Sequence, residues 1–121
     1  MVLIETFDDY MVTFEKVSQA LRTVPNLRGI YMASHSLTAC VDAIRMEHKQ
    51  KDIVLLSNSI TDTALKYLKS GKTDYCMTAN FYQQGYQPLI ILQEYLQKHK
   101  SPEQKTIHCM TEIICAENLN V

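Results

Sequence analysis

Short apolar runs recur along this chain, each followed by a polar turn and then by a stretch whose apolar residues return every three or four positions. That alternation is the pattern of strands feeding amphipathic helices, and it restricts the chain to an α/β arrangement. Val2-Leu3-Ile4 with Thr6 and Phe7 predicts a first strand, and Asp8-Asp9 supplies an N-cap and a negative first turn. Tyr10, Phe14, Val17, Leu21 and Val24 mark one face of the helix that follows, which Pro25-Asn26 stops. Leu27 to Ala33 carries the run Gly29-Ile30-Tyr31-Met32-Ala33, which predicts a strand covered by helices on both faces.

Ser34-His35-Ser36 makes the polar junction into a second helix carried by Leu37, Cys40, Val41 and Ile44. Asp52 introduces the strand Ile53-Val54-Leu55-Leu56, which Ser57-Asn58-Ser59 closes. Ile60, Ala64, Leu65, Tyr67 and Leu68 form a third helix, started by Thr61 with Asp62 and ended by Ser70-Gly71. Thr73 to Thr78 is the fourth strand, and Ala79-Asn80-Phe81 turns into a helix from Tyr82 to Lys98. Leu89, Leu92 and Leu96 are expected on its inner face with Tyr82 and Tyr86 or Tyr95. Lys105 to Cys115 alternates polar and apolar residues and predicts a final extended segment. The order βαβαβαβα and then β is that of a doubly wound, mostly parallel sheet in a three-layer α/β/α arrangement.

At 121 residues the chain is the size of one domain. Twelve Lys and Arg against 13 Asp and Glu leave a net charge of −1, without the clustered positive charge that phosphate contacts need, so no nucleic-acid binding is expected of this segment itself. The longest wholly apolar runs fall far short of the roughly 20 residues that cross a bilayer, so no membrane partner is expected. Met1-Val2-Leu3-Ile4-Glu5 lacks the basic start and long apolar core of a signal peptide. Cys40, Cys76, Cys109 and Cys115 show no metal-ligand spacing; read as reduced, apolar side chains they suit a reducing compartment and point to the cytoplasm. The only glycines are Gly29, Gly71 and Gly85, so neither GxGxxG nor a phosphate loop is available and no cofactor is expected.

In an open parallel sheet, ligands bind beyond the carboxyl ends of the strands. Three such junctions are polar: Ser34-His35, Asn58-Ser59 and Asn80-Phe81. Hydroxyl, amide and imidazole groups beside an aromatic ring suit a neutral polar ligand such as a sugar. The same residue types also cap helices at ordinary βα turns. His35 has no nucleophile at a diagnostic spacing and GxSxG is absent, so no catalytic residue is assigned and the chain reads as a non-enzyme. Asp8-Asp9 reads as a helix cap, with a receiver-like phosphorylation switch as an alternative.

Four stretches carry a resemblance to a known family: Gly29-Ile30-Tyr31-Met32-Ala33-Ser34, Asp52 to Asn58, Leu68-Lys69-Ser70-Gly71-Lys72-Thr73-Asp74, and Phe81-Tyr82-Gln83-Gln84-Gly85-Tyr86. They resemble the C-terminal lobe of the type I periplasmic-binding-protein fold, and most closely the effector-binding domain of lac-repressor-type transcriptional regulators. Glu112, Glu117 and Asn118 resemble the family's tail. In that family two α/β lobes close over a ligand, and closure changes the DNA affinity of a separate helix-turn-helix module. The resemblance implies that residues 1–121 are one such lobe, a fragment lacking the lobe's first strand and helix. The absent strand would lie between the Val2 and Leu27 strands, and the exposed edges predict pairing into a homodimer.

By position, the resemblance implies that Ser34 and His35 face the cleft and that Ser59 stands where the family has a ligand-binding Asp, with Asn58 before it. Ala79 stands where a ligand-contacting Gln is common, and Asn80 and Phe81 match the Asp-Pro that follows. The expected function is a sugar-binding or similar small-effector lobe of a regulator. A sugar-binding protein of a transporter or sensor, outside the cytoplasm, is the alternative.

Overall fold

The computed structural model describes residues 1–58 and 60–119. Among them the elements run α1 (Tyr10–Thr23), β1 (Gly29–Met32), α2 (Leu37–Met46), β2 (Val54–Ser57), α3 (Asp62–Lys69), β3 (Tyr75–Ala79), α4 (Phe81–Lys98) and β4 (Thr111–Ile114). The fold is α/β, and the strands form one mostly parallel sheet in the order β1-β2-β3-β4, with β1–β2 and β2–β3 parallel. The chain divides into two compact units, Met1–Met77 with the chain from Ile113 onward, and Thr78–Glu112.

The helix starts follow local chemistry. Asp9 Oδ1 accepts from the Val12 amide at 2.8 Å to open α1, and Thr61 Oγ1 accepts from the Ala64 amide at 3.1 Å to open α3. Gly71 ends α3 at φ +66°, a left-handed conformation that costs glycine little. The expected first strand is absent: residues 1–6 pair with no strand, and Phe7 and Asp8 turn at φ 53° and 56°. Val2-Leu3-Ile4 has strand composition, but a strand exists only where a neighbour takes its hydrogen bonds, and the sheet order begins at β1. Of the long tail expected to be extended, only Thr111–Ile114 forms a strand.

In the first unit one buried cluster joins Val17 and Leu21 of α1, Cys40, Val41 and Ile44 of α2, Ala64 and Leu68 of α3, and Met32, Leu55 and Cys76 of the sheet. The strand residues alternate: Ile30, in register with Leu55, and Met32, in register with Ser57, share the helix-covered face. The opposite face carries the row Tyr31, Leu56 and Tyr75, in register across three strands. Tyr31 and Tyr75 on it are 52% and 40% exposed and neighbouring Val54 is 47% exposed, so the run read as covered on both faces alternates in burial. Ile114 and Leu119 pack against the same cluster, and the Asn118 side chain clasps the end of β4, accepting from the Cys115 amide and donating to the Ile113 carbonyl.

Ser18 lies in α1 at 2% exposure, and its hydroxyl has no hydrogen-bond partner among the described residues. Its burial is uncompensated. Ser18→Ala is therefore expected to stabilise the protein by about 1 kcal/mol, read as a rise of roughly 4 °C in the thermal midpoint.

In the second unit, Asn80 opens α4 by accepting from the Gln83 amide at 2.8 Å, and the Asn80 amide donates to the Met110 carbonyl at 3.2 Å. The residues expected on the inner face of α4 are exposed instead: Tyr82, Tyr86, Leu89, Leu92, Tyr95 and Leu96 all stand in solvent, while Gln83, Gln87, Ile90, Ile91 and Glu94 are half-buried. Gly85 meets nothing within 4 Å of an added Cβ, so no close approach of a neighbour explains it.

Candidate functional site

Parallel pairing of β1 and β2 fixes the geometry of the first unit's polar rim. Met32 and Ser57 are register partners at the carboxyl ends of their strands, so the chain leaves both strands at the same edge. Asn58 begins its turn with its amide donating to the Met32 carbonyl at 3.0 Å, and Ser34 and His35 follow β1 at that edge. His35 and Asn58 are exposed and Ser34 is half-buried. Three of the sequence-predicted site residues are thus brought together. Ser59 lies outside the described residues.

Two residues outside the predicted set join this rim. Asp8 Oδ1 accepts from the His35 amide at 2.9 Å, and the Thr6 hydroxyl lies 3.5 Å from that of Ser34. The Asp8-Asp9 doublet is the only sequence trace of the first contact: one carboxylate suffices for the helix cap, and Asp9 provides it. Both carboxylates hold backbone amides, a use that does not favour a phosphoacceptor. Among the described residues no group of three His, Cys, Asp or Glu stands together to hold a metal ion.

Asn80 and Phe81 belong to the second unit. The Asn80 carboxamide oxygen is used as the α4 cap, and Phe81 opens the helix with its ring 61% exposed. Tyr82 and Tyr86 stack one turn apart at 5.5 Å between ring centroids.

Chemically, the rim of the first unit offers a carboxylate acceptor, two hydroxyls, an amide side chain and an imidazole. Such a set can accept from and donate to the hydroxyl groups of a neutral polyol.

No protein-family model and no curated protein sequence matches the chain. Solved structures do match its fold. GanP, a glucose-galactose binding protein from Geobacillus stearothermophilus, superposes with a TM-score of 0.83 at 14% identity over 97% of this chain and 41% of its own. An ABC transporter solute binding protein from Agrobacterium vitis, bound with alpha-D-tagatopyranose, gives a TM-score of 0.84 at 15% identity over 99% of this chain and 40% of its own. A sugar-binding protein of a sugar ABC transporter from Bacillus halodurans gives 0.80 at 20% identity over 95% and 43%. This is the fold of one periplasmic-binding-protein-like lobe. The chain spans about two fifths of the length of these proteins.

Proposed function

We propose that the chain is a sugar-binding lobe of a two-lobed binding protein that serves transport or sensing outside the cytoplasm, and that it binds rather than transforms its ligand. The observation that carries this reading is the convergence of Ser34, His35, Asn58 and the Asp8 carboxylate on the carboxyl-terminal edge of parallel strands. The likeness in fold to sugar-binding proteins of transporters supports this role over that of a transcriptional regulator acting on DNA through a separate module. The residue types support a neutral ligand: hydroxyls and amides hydrogen-bond a sugar without demanding charge on it.

A single lobe supplies half of the contacts, so affinity for a free hexose is expected in the millimolar range, about −4 kcal/mol. Titration of the 121-residue chain with D-glucose, D-galactose and D-tagatose, followed by amide chemical shifts, tests the reading. Saturable shifts at Ser34, His35 and Asn58 that disappear in Asp8→Ala are the expected result. No shift with any of the three sugars, or shifts only away from this edge, refutes it.

A further inference from the structure

A cavity of about 250 Å³ opens in the first unit at the amino-terminal edge of β1 and β2, opposite the polar rim. Every residue that lines it belongs to that unit. Leu21 and Val24 at the end of α1 and Ile53 before β2 give it an apolar lining, and Arg28, Lys49 and Asp52 give it charge. The two loops that carry these charges are tied together where the Val54 amide donates to the Arg28 carbonyl at 2.8 Å. The volume falls just below the roughly 300–1,000 Å³ of sites for drug-sized molecules, which suits a smaller ligand.

The charges are not spent on one another. Arg28 has no ion-pair partner among the described residues, and Lys49 holds Asp52 only loosely, at 3.9 Å. Helix α1 also ends at this cavity, and the carbonyls of Leu21, Arg22 and Thr23 accept no backbone hydrogen bond from beyond the helix among the described residues. They add the negative end of the helix dipole to the Asp52 carboxylate. A simple anion is drawn to Arg28 and Lys49 but opposed by Asp52 and the helix end, and a simple cation meets the reverse. A ligand that bears both charges on one carbon satisfies both sets.

We propose that this cavity binds a free α-amino acid with a short aliphatic side chain. Arg28 and Lys49 hold the carboxylate, Asp52 and the last carbonyls of α1 take the ammonium group, and the side chain covers Leu21, Val24 and Ile53. The site is separate from the sugar rim: Arg28 and Asp52 precede β1 and β2, whereas Ser34, His35 and Asn58 follow them.

Titration of the full chain with L-valine, followed by amide chemical shifts, tests the proposal. Saturable shifts at Arg28, Lys49 and Asp52, without shifts at Ser34, His35 and Asn58, are the expected result. Isovalerate, which keeps only the carboxylate, and isobutylamine, which keeps only the ammonium group, each bind at least about tenfold more weakly. Arg28→Gln weakens L-valine by a similar factor and leaves isobutylamine no weaker, while Asp52→Asn weakens L-valine and strengthens isovalerate. Both side chains are exposed, so neither change disturbs the core. No saturable shift with L-valine, shifts only at the opposite edge, or isovalerate binding as tightly as L-valine overturns the proposal, as does an Asp52→Asn variant that weakens both ligands alike.

Discussion

Leu55→Ala is expected to lower the unfolding free energy by about 4 kcal/mol, near the top of the range for a buried leucine. The side chain is 1% exposed and sits in the one cluster that joins α1, α2 and α3 to the sheet. What raises the cost is the backbone. The Leu55 amide donates to Asp74 Oδ2 at 2.8 Å, and its carbonyl accepts from the Asp74 amide and the Thr73 hydroxyl, each at 3.0 Å. A strand held at both polar groups cannot move inward to fill the space left by the side chain, so the cavity persists. Leu68 is equally buried but lies on α3, a two-turn helix that can shift toward a void. Leu68→Ala is accordingly expected to cost about 3 kcal/mol. Urea unfolding of the two variants checks the order, and a larger loss at Leu68 would contradict this account.

Alkaline pH is the second large lever. Cys40 is fully buried in α2, and burial pushes its thiol from an ordinary 9.0 up to about 12. Below pH 9 the thiol is neutral in folded and unfolded chains alike, and its contribution to stability is complete. Between pH 9 and about 12 the unfolded chain releases the proton while the folded chain keeps it. The folded state then binds more protons, so stability falls as pH rises, by on the order of 4 kcal/mol across the whole window. Tyrosines and lysines titrate in the same range, so the test is the difference between wild type and Cys40→Ala in urea midpoints from neutral to strongly alkaline pH. Parallel curves would exclude a Cys40 origin. The same burial shields Cys40 and Cys76 from iodoacetamide, whereas the partly exposed Cys109 and Cys115 are expected to react readily.

Features decided within a few residues were readable from the chain alone. The Asp9, Thr61 and Asn80 caps and the Gly71 stop depend on groups three or four positions apart, and the structure places each where the chain order does. Features that need a partner were not. Val2-Leu3-Ile4 has the composition of a strand but no neighbour to bond, and α4 has a clear stripe whose period says that a face is apolar without saying what meets it. In the candidate site, parallel pairing made Ser34, His35 and Asn58 predictable neighbours. The Asp8 contact with His35 spans 27 residues and leaves no local trace beyond a spare carboxylate.

Parallel pairing of β1 with β2 also dictates when the molecule can begin to fold during synthesis. The Gly29–Val54 partners are separated by all of α2, so no rung between β1 and β2 can close until the ribosome has released Val54. At cellular translation rates, the Val17–Leu21 stripe of α1 waits roughly 2 to 7 seconds for a surface to receive it. During that interval the apolar face of the nascent segment has no surface of its own sheet to cover it.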